Sequence, residues 1–509
     1  MRRLFAKLAL LACLAPAALA GCGGGDDESP GALDAGLAHL PKEAPLAVAI
    51  DTDLAGDQYK ALDSILGKFP LEASSVRELL RDQIGGGGSN VDFERDIEPI
   101  LGNPLVIGAT DVASLSGSSE TEDFVITLQA KDKGALDDLI EKTGPEETGE
   151  VAGATKYKDS GTNFAVEDDL VVIAPSEEEL DQALERADGD DHLDTDTFEA
   201  GLDGLPGSAL ARVYADLEAL LASQPGGERA RRLEWLGALR TLGLTATARD
   251  DRVEVEFNLR TDPEGLTDGD LPIATGDESP PVITRDGEIG FGIRDPAHIV
   301  RFAEAAGQAI DPSGFADYAR AKETLDARLD ISIDDDLIGQ LTGDLFASLA
   351  LDGGFGVRAE LKDPAAFKGT LTKIAAVLPS FAEGAGFGAV TIGKPDAGEG
   401  LYALRQADGD GVVFGVLDGV LVVAESLERA RELASEQPER VDGADGAVAL
   451  SSDAEELANA VIAEFGEQFG VTGFEAFGAQ LFTGPLEDLT GSMSASTDGL
   501  RGRITLRIE

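Results

Sequence analysis

Asn163 onward reads NFAVEDDLVVIAPSEEELDQALERA, and Val413 onward reads VFGVLDGVLVVAESLERARELAS. At a constant offset of 250, Phe164 falls on Phe414, Val166 on Val416, Asp168 on Asp418, Val172 on Val422, Ala174 on Ala424 and Ser176 on Ser426. Each stretch reads as two short strands around a tight turn, followed by a helix. Asp418-Gly419 is a strong hairpin signal because both residues accept positive φ. Ser176 is placed to cap the helix N-terminus, with Glu179 completing a capping box. Leu180, Ala183, Leu184 and Ala187 recur at helical spacing and form one apolar face.

Three further matches flank this one in the same order. ILGNPLVIGATD from Ile100 echoes QLTGDLFASLALD from Gln340, and ALARVYAD from Ala209 echoes GAVALSSD from Gly446. ARDDRVEVEFNLR from Ala248 aligns with ASTDGLRGRITLR from Ala495. Val253, Val255, Phe257 and Leu259 alternate with Glu254, Glu256 and Asn258, which predicts a strand with one buried and one wet face. The pattern predicts two tandem repeats, 36–265 and 282–509, joined by a linker over 266–281 that carries turn chemistry. Hairpins imply antiparallel pairing. The expected fold class is therefore α+β, each repeat a largely antiparallel sheet with helices packed on one face.

The N-terminus reads as a leader. Arg2, Arg3 and Lys7 form a basic start, and Leu8 to Leu19 an apolar run too short to span a bilayer, which needs ~20 residues. Leu19-Ala20-Gly21-Cys22 resembles the lipobox of bacterial lipoproteins. That resemblance implies removal of 1–21, a diacylglyceryl group on the Cys22 thiol and attachment to a membrane from its extracytoplasmic face. Residues 22–35 are rich in Gly and Asp and would act as a flexible tether with a reach of roughly 20 Å.

AHLPKEAPLAVAIDTDLAGDQYKALDSILGKFP from Ala38 and DIEPILGNPLVIGA from Asp96 resemble the bacterial family called domain of unknown function 3352. The resemblance covers most of the mature chain and is strongest in the first repeat. It implies an exported or membrane-attached protein and brings no catalytic residue, ligand or activity. Read from the residues alone, Leu46 to Ile50 is a buried strand, and Tyr59, Leu62, Ile65, Leu66 and Phe69 form a helical packing stripe.

The chain holds 96 acidic against 41 basic residues, a formal charge of -55. Phosphate neutralisation needs Lys and Arg, so nucleic acid is not an expected partner. Cys13 and Cys22 are the only cysteines, which leaves the body after residue 22 without thiol chemistry. His39, His192 and His298 have no partner at metal-ligand spacing and are expected on surfaces or loops. No Gly-x-Ser-x-Gly elbow occurs. Gly384 to Ala389 fits G-x-G-x-x-A but precedes a strand-like run, where a dinucleotide fingerprint needs a strand before it and a helix after it. Gly85 to Gly88 reads as a connector. Asp188 to Asp196 and Asp334-Asp335-Asp336 are acidic enough to suggest calcium, yet EF-hand spacing fails because Leu193 stands where glycine is needed. They read better as turns and caps, with Asp196 capping a helix that starts at Thr197. Trp235 is expected to pack at a helix interface.

No cofactor or metal is expected. The sequence points to a non-catalytic envelope protein, anchored through Cys22, that binds or scaffolds an unidentified ligand or envelope partner. A hydrolase using dispersed carboxylates and a calcium-dependent adhesion module stand as alternatives.

Overall fold

The computed structural model describes residues 31–70, 74–85, 91–112, 115, 124–159, 161–276, 278–282, 288–350, 354–384, 391–393, 400–405, 411–465 and 483–509. The chain divides into two compact units. The first comprises Met1–Pro225, Leu239–Thr261 and Thr505–Glu509, the second Gly226–Ala238 and Asp262–Ile504. Both are α+β.

In the first unit the strands are β1 (Leu46–Ile50), β2 (Leu105–Ala109), β3 (Phe124–Gln129), β4 (Glu146–Val151), β5 (Ala154–Asp159), β6 (Thr162–Glu167), β7 (Leu170–Ala174), β8 (Ala211–Asp216), β9 (Leu239–Arg249) and β10 (Arg252–Thr261). They pair antiparallel in the order β4-β5-β6-β7-β3-β2-β1-β8-β9-β10. The helices are α1 (Ala32–Leu37), α2 (Asp57–Leu66), α3 (Val76–Gly85), α4 (Lys133–Thr143), α5 (Glu177–Ala187), α6 (Thr195–Gly201) and α7 (Leu217–Ser223). The β6–β7 hairpin turns at Asp168, with φ of 51°, and Ser176 caps α5 by accepting from the Glu179 backbone N–H at 3.1 Å.

Helices were expected on one face of the sheet; the structure adds a second core on the other. Leu170, Val172 and Ala174 of β7 enter a core with α1, α5 and α6, while Val171 and Ile173 enter another with α3 and α4. Two covered faces explain why β7 is an unbroken apolar run, LVVIA, with every side chain buried. Leu170, Val171, Val172 and Ile173 each contribute roughly 1.5–3 kcal/mol through burial. On β10 the predicted wet face fails at one position. Asn258 is buried, and its amide is satisfied by donating Nδ2 to Asp203 O at 2.7 Å. The predicted α2 stripe is buried at Tyr59, Leu62 and Ile65, but Phe69 lies past the helix end.

The second unit includes α8 (Gly227–Ala230), α9 (Glu234–Ala238), α10 (Pro296–Ile310), α11 (Pro312–Leu329), α12 (Pro364–Gly384), α13 (Leu427–Ser435) and α14 (Ala454–Phe465). Its strands are β11 (Glu288–Arg294), β12 (Asp344–Ala350), β13 (Phe355–Glu360), β14 (Thr391–Gly393), β15 (Leu401–Arg405), β16 (Gly411–Leu417), β17 (Val420–Ala424), β18 (Val448–Asp453), β19 (Leu486–Ser496) and the part of β20 (Gly499–Ile508) up to Ile504, the rest being counted in the first unit. Pairing follows the order β14-β15-β16-β17-β13-β12-β11-β18-β19, the order of the first unit strand for strand.

Local details correspond as well. Tyr157 stacks on Phe164 at 5.2 Å between ring centroids, and Tyr402 stacks on Phe414 at 5.6 Å. A π-turn over Phe93–Ile97 is braced by Asp92, which accepts from Arg95 N, and by Asp96, which accepts from Asp92 N. Ser332 and Asp336 brace the π-turn over Ile333–Leu337 through the same two bonds.

The segment read as a linker is packed within the second unit. Leu271 and Ile273 are buried, and a Cβ on Gly292 of β11 would meet Pro281 O at 2.5 Å. Trp235 is buried edge-on to Phe302 of α10, with centroids 6.0 Å apart. Among the described residues no helix is long and apolar enough to cross a membrane.

Candidate functional site

A cleft of about 830 Å3 opens in the first unit where β1 ends. Thr52 to Ala55 supply one wall, Arg77 of α3 a second, and Glu94, Glu98, Pro99 and Leu101 a third. The turn from β3 into α4, Lys131 to Gly134, closes it. Its size falls in the range of small-ligand sites.

The floor is stitched by hydrogen bonds between strand ends. Thr52, buried, donates its hydroxyl to Asn103 O at 2.7 Å and accepts from Gly102 N at 2.7 Å. Asn103, also buried, donates Nδ2 to Gln129 O at 3.0 Å. The ends of β1, β2 and β3 are thereby fixed relative to one another. Gly102 has φ of 130°, and a Cβ there would lie 2.6 Å from Lys131 Cδ. Glycine thus permits both the backbone turn and the close passage of the lysine stem.

The lining acids are engaged. Asp132 caps α4 by accepting from Ala135 N at 3.1 Å, and Asp53 accepts from Ala55 N at 3.2 Å. Glu98 pairs with Arg77, and Glu94 lies 3.9 Å from Arg81. Of the lining cations, Lys133 pairs with Asp168 at 3.1 Å. Lys131 is exposed and pairs with no carboxylate among the described residues. Behind the wall, Asp96 accepts from Arg95 at 2.9 Å and pairs with Lys142. Arg95 first, and Lys142 with the Asp92 N–H, hold its carboxyl well below the usual carboxylate range.

The residues singled out in the sequence fall elsewhere. Cys22 and its lipobox, Leu19, Ala20 and Gly21, lie outside the described residues, as do Gly86 to Gly88 and most of the Gly384–Ala389 motif. In the acidic stretch after α5, one carboxylate is used as a helix cap. Asp194, two residues earlier than expected, caps α6 by accepting from Thr197 N at 2.7 Å, and α6 itself starts at Thr195. His192 is half-buried, its Nδ1 2.9 Å from Gly189 O. Asp334 is held by Lys322, which also reaches Glu304 at 2.9 Å. Among the described residues no three His, Cys, Asp or Glu side chains are placed to hold a metal ion.

His39 corrects an expectation. It is 2% exposed, with Nδ1 2.9 Å from Ala35 O and no hydrogen-bond partner at Nε2. Burial lowers its pKa to about 4. α1 covers the ring, its Ala35 carbonyl lying against Nδ1. His298 is half-buried, its Nε2 2.7 Å from Leu271 O. None of the cleft residues was picked out as a candidate site from sequence. They come from four separate segments, and no local pattern links them.

An antiparallel α+β unit with an open polar cleft beside its first strand defines a class by architecture and leaves its chemistry open. The chain belongs to the family described as protein of unknown function (DUF3352), whose model matches residues 8–268. It is similar to crystal form III of TP0453 at 13% identity, over 46% of this chain and 82% of that one, with a TM-score of 0.25. Crystal form I of TP0453 is similar at 12% identity, over 45% of this chain and 80% of that one, with a TM-score of 0.26. No curated protein matches the chain.

Proposed function

We propose that this is a lipid-anchored extracytoplasmic protein that binds, without transforming, a small polar ligand in the cleft beside β1. The observation that carries the reading is the Lys131 ammonium, unpaired among the described residues, in a cleft whose floor is locked by Thr52 and Asn103. A fixed floor and one available cation make a place to hold an anionic group without rebuilding the walls. The cleft acids are committed to caps and ion pairs, which favours binding over hydrolysis by paired carboxylates. Asp194 and Asp334 of the acidic stretches are committed likewise, and among the described residues no three ligating side chains converge, which favours it over calcium-dependent adhesion. The anchor rests on the Leu19 to Cys22 lipobox. We infer further that the body arose by duplication; the shared strand order and the paired aromatic stacks support this.

Native mass spectrometry of the protein released from its own membranes tests the binding reading. A small ligand should accompany the wild type and be lost from Lys131→Glu. Turnover of an envelope substrate by the purified body would overturn it. Cys22→Ser should move the protein from the membrane pellet to the soluble fraction, and unchanged sedimentation would refute the anchor.

A further inference from the structure

The two units share a strand order but treat one sheet face differently. In the first unit, Val106 and Gly108 of β2 stand opposite Thr127 and Val125 of β3. α1 seals this patch: Thr127 donates to Gly36 O at 3.2 Å, and a Cβ on Gly108 would strike Leu40. In the second unit the same register positions hold Phe346 and Ser348 opposite Arg358 and Gly356. Arg358 and Thr127 occupy one place, since Thr127 pairs with Val172 of β7 and Arg358 with Val422 of β17.

These exchanges accommodate two arginines. With Gly356 in place of a valine, Arg429 of α13 reaches the sheet; a Cβ on Gly356 would lie 3.2 Å from its Nε. Arg429 is buried, and its Nη2 donates to Glu288 at 2.5 Å and Ser348 at 2.6 Å. Its Nη1 has no hydrogen-bond acceptor among the described residues and lies 3.7 Å from Glu432. Arg358, half-buried, packs over the Phe346 ring at 5.4 Å, with Nε and Nη1 shut off from solvent and, among the described residues, without an acceptor. A guanidinium cannot shed its proton, and a buried one without a counter-ion is strongly destabilising. Arg429 thus has Glu288 at 2.5 Å and Glu432 at 3.7 Å, whereas Arg358 pairs with no carboxylate among the described residues, in a chain with 96 acids.

We propose that Arg358 and Arg429 form the head-group site for an amphiphile with a single oxyanion, carboxylate or phosphate, whose apolar stem lies against Phe346 and the neighbouring core. The oxyanion supplies the acceptors that Arg358 lacks. A small ion entering here would lose its hydration with little in return, whereas an apolar stem gains about 25 cal/mol for each Å2 it buries. Phe346, Val422, Ala424 and Leu433 are the buried apolar side chains around the pair. The site belongs to the second unit and is independent of the cleft beside β1.

The test uses the full mature chain, with dodecanoate and dodecyl phosphate below their micelle concentrations, and dodecanol and inorganic phosphate as controls. Calorimetry should show saturable binding of one charged amphiphile at least ten-fold tighter than either control; which one binds identifies the head group. Arg358→Met should weaken it at least ten-fold and Arg358→Lys less, while Lys131→Glu leaves it unchanged. Absence of binding by both amphiphiles, equal binding of dodecanol, or undiminished binding by Arg358→Met would overturn the proposal. Should Arg358→Met fail to fold, undiminished binding by Arg358→Gln would do the same.

Discussion

Acidification should destabilise the first unit through His39. In the folded state its pKa is lowered from 6.5 to about 4, first by burial and then by the positive charge of Arg186 and the nearby His192, against the opposing pull of Ala35 O. Above pH 6.5 the ring is neutral in both states and carries no penalty. As pH falls, the unfolded chain takes up a proton that the folded protein refuses, so stability is lost between pH 6.5 and about 4 and then levels off. The shift corresponds to about 3 kcal/mol over the whole window and about 2 kcal/mol by pH 5. Other groups titrate too, so the measurement is a difference. Urea denaturation of wild type and His39→Asn at pH 7.5, 5 and 4 should give curves that converge toward acid, because asparagine keeps a donor for Ala35 O and has no proton to refuse. Parallel pH dependences would show that the ring is protonated without penalty.

Three other outcomes follow from packing. Phe164 is fully buried, so Phe164→Ala should cost about 3–5 kcal/mol by calorimetry; Phe414, half-buried in the matching stack, should cost clearly less. Asp96→Asn keeps an acceptor for Asp92 N but removes the charge facing Arg95 and Lys142, and should cost about 1–3 kcal/mol. Asp336→Asn, whose carboxylate pairs with no cation among the described residues, should cost less in the same denaturation assay.

The units show how one topology carries two interiors. Where α1 lies on the sheet, the patch under it is Val, Thr and Gly, and the core is continuous with α5 and α6. Where arginines stand at that register, α13 supplies one of them and the described apolar core is smaller. A single face therefore serves closure in one unit and, on our proposal, recognition in the other.

Much of the fold was legible in the residues themselves. The β6–β7 and β16–β17 hairpins, the caps at Ser176 and Ser426 and the burial of Trp235 rest on contacts within a few positions along the chain, or on an apolar periodicity that records one neighbour. What lay out of reach depends on which strands adjoin. The order β7-β3-β2-β1-β8 brings 52–55, 77, 94–101 and 131–134 to one cleft, covers both faces of β7, buries His39 and sets Arg358 where Thr127 stands in the other unit. Spacing along a chain encodes the local partner of each residue; convergence of distant segments is settled only when the sheet closes and side chains compete for the same space.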